Sequence, residues 1–254
     1  MLEKWLWPAS TMGFKRVQLN RGQLMLASEE VDGHKLAAMV LSRVPPQDEL
    51  SPLYGRGLLR RIALSQGEHA LVRTYFHGGL LRKITGRYFF TWPARPFKEL
   101  VVTESVRERG IPTLDVLAAV VERCWGPVYR GWLVTRELAG AQDLWSALKS
   151  VTQFRHRTLL LQAAAMSVRQ MHREGVYHAD LNLKNILIRQ ENEEMKAYLI
   201  DFDKARLFPR EIPAPRAKRN LNRLLRSARK LDPRGRYFSK EDWAAFMAFY
   251  ERSQ

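Results

Sequence analysis

"VYHADLNLKNILI", residues 176–188, sets one His, one Asp and two Asn at fixed offsets and closes on an apolar run, and "YLIDFDKARL", residues 198–207, follows it closely. The two stretches decide the fold. "NILIRQ" (185–190) and "KAYLIDF" (196–202) read as a strand pair turning through "ENEEM", because both are apolar-rich runs separated by a short polar tract. A hairpin brings the outer ends of its strands side by side, so Asn185 at the start and Asp201 at the finish are expected to be neighbours. One carboxylate and one amide oxygen make a hard-oxygen site suited to Mg²⁺, which takes few protein ligands and leaves its other positions to waters and phosphate oxygens. Asp180, five residues before Asn185, is placed to accept a proton or orient a hydroxyl. Such a set suits phosphoryl transfer, in which the loose transition state asks for positioning and charge neutralisation rather than a strong base. His178 is expected to support the loop by packing and hydrogen bonding.

Outward from this centre the chain changes character. The first ~90 residues read as strand and turn: "QLMLAS" (23–28), "LLRRIALS" (58–65) and "HALVRTYF" (69–76), separated by turn-forming clusters that include "VDGHK", "SQGE" and "HGG". "PFKELVVTESVRERG" (96–110) starts on proline, ends on glycine and spaces its apolar residues for a helix. "LDVLAAVVERC" and "GWLVTRELAG" read as two largely buried strands. The second half is helical by its 3.6-residue period, with "LWSALKS", "FRHRTLLLQAAAMSVRQMHREG" (154–175) and a last helix "SKEDWAAFMAFYER" with an acidic first turn. The expected class is α+β. A small strand-rich N-lobe with one helix occupies 1–135, and a compact, mainly helical C-lobe 136–254, joined near Thr135–Gly140.

The bulk numbers narrow the partners. A chain of 254 residues with 46% hydrophobic and 27% charged residues is globular. The one cysteine, Cys124, excludes an internal disulfide framework. A net charge of +16 favours anionic partners. From Arg206 to Arg236 eleven basic residues face only Glu211 and Asp232, with Leu221, Leu224, Leu225 and Leu231 interleaved at helical spacing, so one side of this tract must pack. No apolar run approaches the ~18 residues of a membrane span, and the N-terminus, with Trp5 and Trp7, is no secretory signal.

"HADLNLKN" followed by "DFD" resembles the H-x-D-x-x-x-x-N loop and D-F-G metal motif of the protein-kinase-like superfamily. The resemblance implies a bilobal protein-kinase-like fold, Asp180 as the catalytic residue, and Asn185 and Asp201 as Mg²⁺ ligands. For ATP it implies Gly55 and Gly57 of "YGRG" at the phosphate loop, Arg73 of "ALVRTYF" at the position of the usual β-strand lysine, and Glu99 as that cation's partner. Lys83 is the alternative cation, and Asn182 stands where protein kinases place a loop lysine. Only fifty-three residues follow Asp201, too few for a polypeptide-docking lobe. "YFHGGLL", "DFDKAR" and "NLNRLLRSARKL" narrow the resemblance to the lipopolysaccharide core kinases, most closely those acting on 3-deoxy-D-manno-octulosonic acid (Kdo). "YFHGG" departs from the more basic "RRGG" of that group, which keeps a core heptose open as acceptor. What the resemblance implies is an ATP-dependent, peripheral enzyme at the cytoplasmic face of the bacterial inner membrane, phosphorylating a hydroxyl of Kdo on a lipid A precursor. Neither nucleic acid nor a protein partner is expected. The rival class is a binding module, a degenerate kinase fold that holds an anion on its basic tract; the joint presence of Asp180, Asn185 and Asp201 speaks for the enzyme.

Overall fold

The computed structural model describes residues 13–20, 22–42, 59–75, 88–91 and 93–252. They fall into two compact units: residues up to Glu104 with Asp115–Glu137, and Ser105–Leu114 with Leu138 onward.

The first unit is built on a six-stranded antiparallel sheet in the order β1-β2-β5-β6-β4-β3. Its strands are β1 (Phe14–Gln18), β2 (Gln23–Ser28), β3 (Leu59–Ala63), β4 (His69–Thr74), β5 (Val116–Trp125) and β6 (Val128–Arg136). Apolar side chains line both faces. On one, Leu24, Leu26, Ala119, Val121, Tyr129 and Leu133 pack with Phe97 and Leu100 of α2 (Arg95–Glu108). On the other, Met25, Ala27, Ala118 and Val120 pack with Leu36, Ala37 and Val40 of α1 (Gly33–Leu41). Cover on both sides explains why β5 opens with "VLAAVV", six buried residues in succession, instead of alternating with polar ones.

α1 corrects the expectation of a turn at "VDGHK" and of a single helix in this unit. Asp32 caps α1: its carboxylate accepts from the backbone N–H of His34 at 3.0 Å and of Lys35 at 3.1 Å. Gly33 lets the helix approach the sheet, since a Cβ there would lie 2.6 Å from Val17 Cγ2. The Asp-Gly pair reads as a turn when taken alone. With Leu36, Ala37 and Val40 behind it, it is a helix start.

The second unit is organised around α4 (Phe154–Arg173), whose Leu160, Leu161, Ala164, Ala165, Val168 and Met171 are buried. Packed with it are a three-stranded sheet in the order β10-β9-β7 and the last helix, α6 (Lys240–Arg252). The sheet comprises β7 (Gln142–Asp143), β9 (Ile186–Glu191) and β10 (Glu194–Leu199). The β9–β10 turn places Asn192 and Glu193 at φ +45° and +71°, the paired left-handed residues of a two-residue hairpin loop. Asp143 caps α3 (Leu144–Ser150) through the Ser146 N–H at 3.0 Å. Ser239 and Asp242 form a reciprocal cap at the start of α6, and Arg157 grips the same carboxylate from α4 with two bonds of 2.7 and 2.8 Å.

Gly175, two residues past the end of α4, stands at φ +75°. A Cβ there would lie 2.4 and 2.5 Å from the carbonyl oxygens of Arg210 and Phe208, so only glycine admits the crossing segment. β8 (Val176–Tyr177) then pairs with β11 (Arg206–Leu207). The basic tract becomes α5 (Ala214–Leu231), which buries Asn220, Leu221, Leu224 and Ala228.

Candidate active site

In the second unit the loop after β8 carries Asp180. It is followed by a single 3₁₀ turn, Leu183–Asn185, that leads into β9. The register pairs Ile186 with Leu199, and the Asn185 carbonyl accepts the Ile200 N–H at 3.1 Å. The hairpin therefore sets Asn185 beside the chain entering Asp201. His178, 1% exposed, joins these two segments. Its Nδ1 accepts the Asp180 N–H at 3.2 Å and its Nε2 lies 2.8 Å from the Ile200 carbonyl. Accepting at Nδ1 fixes the proton on Nε2, which donates to Ile200. Burial lowers the His178 pKa and keeps the ring neutral. With both nitrogens engaged and Phe202 packed 5.0 Å from its ring, His178 is a brace between the Asp180 loop and the Asp201 strand end.

The two asparagines differ. Asn185 donates through Nδ2 to the Asp180 carbonyl at 2.9 Å, which turns its Oδ1, the atom a hard cation takes, away from that bond. Asn182 uses both ends of its amide locally, donating to the Asp180 carbonyl at 2.8 Å and accepting the Lys184 N–H at 3.0 Å as the cap of the 3₁₀ turn. Asp201 stands at φ +68°, a left-handed conformation that Asp tolerates better than most residues. Among the described residues no cluster of three or more His, Cys, Asp or Glu could hold a metal. The pair of Asn185 and Asp201 fits Mg²⁺ nonetheless, because that ion needs only one or two carboxylate or amide oxygens from protein.

A deeper layer of support has no motif of its own in the sequence. Asn220 of α5 is fully buried, and it takes both main-chain groups of His178: Nδ2 donates to the His178 carbonyl at 2.6 Å and Oδ1 accepts its N–H at 3.2 Å. The same Oδ1 lies 3.1 Å from His172 Nε2, and His172 Nδ1 lies 2.7 Å from the Tyr250 hydroxyl. α4, α5, α6 and the Asp180 loop thus meet in one buried polar chain. Burial pushes the His172 pKa down to about 4, against the opposing hydrogen bond of Asn220. The available signal was a single Asn on the leucine-bearing face of an otherwise amphipathic helix.

In the first unit Arg73 of β4 pairs with Glu99 of α2. Glu99 is 2% exposed, so this is no ordinary surface pair. The Tyr75 hydroxyl donates to the same carboxylate at 2.5 Å and accepts from Arg73 at 3.2 Å, and the Arg73 guanidinium lies 5.0 Å from the Tyr75 ring. Tyr75 is the partner that sequence offsets did not indicate. Gly55 and Gly57, with Lys83 and the N-terminal Trp5 and Trp7, lie outside the described residues.

Residues 50–250 match the family model described as the lipopolysaccharide kinase (Kdo/WaaP) family. The chain belongs to that family. It is 35% identical over 192 residues to the 3-deoxy-D-manno-octulosonic acid kinase of Pasteurella multocida, covering 73% of this chain and 76% of that one. With the protein of the same name from Vibrio vulnificus it shares 33% identity over 204 residues, 79% and 82% of the two chains. Among solved structures, WaaP in complex with acyl carrier protein superposes with a TM-score of 0.55 at 19% identity, over 88% of this chain and 84% of that one. That likeness establishes the protein-kinase-like fold, and membership in the Kdo/WaaP family makes the chain a kinase of lipopolysaccharide core biosynthesis.

Proposed function

We propose that the chain transfers the γ-phosphoryl group of ATP to a hydroxyl of the Kdo sugar on a lipid A precursor. The observation that carries this reading is the His178 brace, which ties the Asp180 backbone to the carbonyl preceding Asp201 while the hairpin holds Asn185 alongside. The relatives named for Kdo phosphorylation supply the acceptor. In the proposed reaction the sugar oxygen bonds to the γ-phosphorus as the bond to the ADP oxygen breaks, and the Asp180 carboxylate orients the hydroxyl and takes its proton. Asn185 and Asp201 are the residues to hold Mg²⁺, which supplies charge neutralisation at the phosphates. Arg73, anchored by buried Glu99 and Tyr75, would offer phosphate oxygens a permanently charged, planar group.

A lipid-linked acceptor also puts the enzyme at the cytoplasmic face of the inner membrane as a peripheral protein. The net charge of +16 supports this, and no helix among the described residues is long and apolar enough to cross a membrane. A protein partner enters by a different route: WaaP was solved with acyl carrier protein, and a pull-down of the full chain with acyl carrier protein tests whether this kinase shares it.

The deciding experiment incubates the protein with ATP, Mg²⁺ and, in separate reactions, lipid A precursors carrying Kdo alone or Kdo with core heptose, and locates any added phosphate by mass spectrometry of the released sugars. One added phosphate on Kdo, lost in Asp180→Ala while ATP still binds, supports the proposal. A phosphate on a core heptose rejects the acceptor, and no transfer to any core sugar rejects the reaction.

A further inference from the structure

α5 carries seven basic residues and no acidic one along its 18 residues. Two of the seven are partly buried. The Arg216 guanidinium stacks over Tyr177 and Phe208 at 5.7 and 5.1 Å, and Arg223 turns inward, its Nε buried with no hydrogen-bond partner among the described residues. The other five, Lys218, Arg219, Arg226, Arg229 and Lys230, are exposed, and none has an acidic partner among the described residues. Lys218, Arg219, Asn222, Leu225, Arg226 and Arg229 line a shallow groove of about 510 Å³. They fall at helical spacing on the side opposite Asn220, Leu221, Leu224 and Ala228, and the stripe is about 16 Å long at 1.5 Å per residue.

This arrangement opposes folding in isolation. Arg226 sits three and four residues before Arg229 and Lys230, and like charges at those separations destabilise a helix. The repulsion is relieved when the stripe meets a surface of opposite sign. We propose that the outward stripe of α5 is the surface by which this protein docks on anionic lipid; the proposal rests on the reading of a lipid-linked acceptor. Long basic side chains lay their methylene stems along the surface and reach the headgroups with their tips. Leu225, partly exposed among them, gives the acyl boundary an apolar contact. A single-stranded nucleic acid fits less well, because its binding grooves interleave cations with aromatic platforms and the stripe carries no aromatic residue.

The test uses the full chain with vesicles of phosphatidylglycerol and phosphatidylethanolamine, and with phosphatidylcholine vesicles, without ATP or acceptor. Failure here is therefore distinguishable from failure of the proposed reaction. Sedimentation with the anionic vesicles only, weakening as salt rises, is expected. Lys218→Ala/Arg226→Ala should weaken it about thirty-fold, the equivalent of ~1 kcal/mol for each cation held at the surface. The control Lys35→Ala/Lys240→Ala, exposed cations on α1 and α6, should leave binding near that of the parent. Both α5 side chains are exposed and alanine favours helix, so the variant folds, which a circular-dichroism melt checks. Unchanged binding in the α5 variant overturns the proposal. So does an equal loss in the control, which would make net charge the whole effect, or binding of the stripe to an acidic soluble protein but not to vesicles.

Discussion

Asp201 joins a conformational demand to a chemical one. At φ +68° the chain leaves β10 in a left-handed step, which Asp and Asn tolerate and β-branched residues do not. Asp201→Asn should therefore keep the melting temperature while Mg²⁺-dependent turnover drops by at least about a hundred-fold, as loss of a preorganised charge does. Asp201→Val should also lose about 1–3 kcal/mol of stability from backbone strain. Turnover near the parent level in Asp201→Asn would remove Asp201 from the proposed metal site. His172 makes a different prediction. Its folded pKa of about 4 lies below the ordinary 6.5, so below pH 6.5 the unfolded chain binds a proton that the folded one refuses. This stability is complete above about pH 6.5 and is lost as the pH falls towards 4, by up to ~1.4 kcal/mol per pH unit. Buried His178 contributes with the same sign. Urea midpoints measured at pH 7.5, 6 and 5 should fall in that order, and His172→Gln should flatten the trend; an unaltered slope would show the burial of His172 to be energetically idle. The residues proposed for the chemistry were legible because their offsets are local: Asp180, Asn185 and the hairpin reaching Asp201 share one short stretch. Their support was not, because Asn220 acts on His178 across 42 positions and Tyr250 on His172 across 78.

Among the elements, long periodic segments could be read directly and packing partners could not. α4 and α6 show their apolar faces in sequence, and β5 shows its burial as an unbroken run. α1 was hidden because its cap and its close-approach glycine spell the same dipeptide as a turn. α5 was legible only as a basic amphipathic tract; that it also holds the Asp180 loop depends on one amide pointing inward. Asn220→Ala should leave both His178 main-chain groups and one His172 nitrogen without partners, at about 1–3 kcal/mol for a buried group so orphaned. Turnover should fall more than ATP affinity, since the loss slackens the Asp180 loop. Asn220→Asp keeps an acceptor for the His178 N–H but sets a buried carboxylate oxygen against the His178 carbonyl, so it should be no more stable than Asn220→Ala. Urea unfolding and ATP titration of the two variants check this. A stability loss with kcat unchanged would confine Asn220 to the fold.

For the molecule as a whole, the excess of 42 basic over 26 acidic residues sets the balance. Close pairs such as Arg157–Asp242 and Arg61–Glu137 are partly buried and hydrogen-bonded, and salt screens them little. The exposed cations of α5 have no acidic partners among the described residues, so their mutual repulsion acts through solvent, where screening is strong. Repulsion is therefore the term that salt removes, and a protein this far from neutrality is destabilised by it. Raising NaCl from 10 to 150 mM, where the Debye length falls from ~30 to ~8 Å, should raise the melting temperature by roughly 2–4 °C, the shift expected for about 1 kcal/mol in a chain of this size. Lys218→Ala/Arg226→Ala should start from a higher melting temperature at 10 mM and respond less to salt. A parent protein that melts lower as NaCl rises would mean that attraction within the ion pairs outweighs repulsion among the cations, and the α5 stripe would then carry no strain for an anionic surface to relieve.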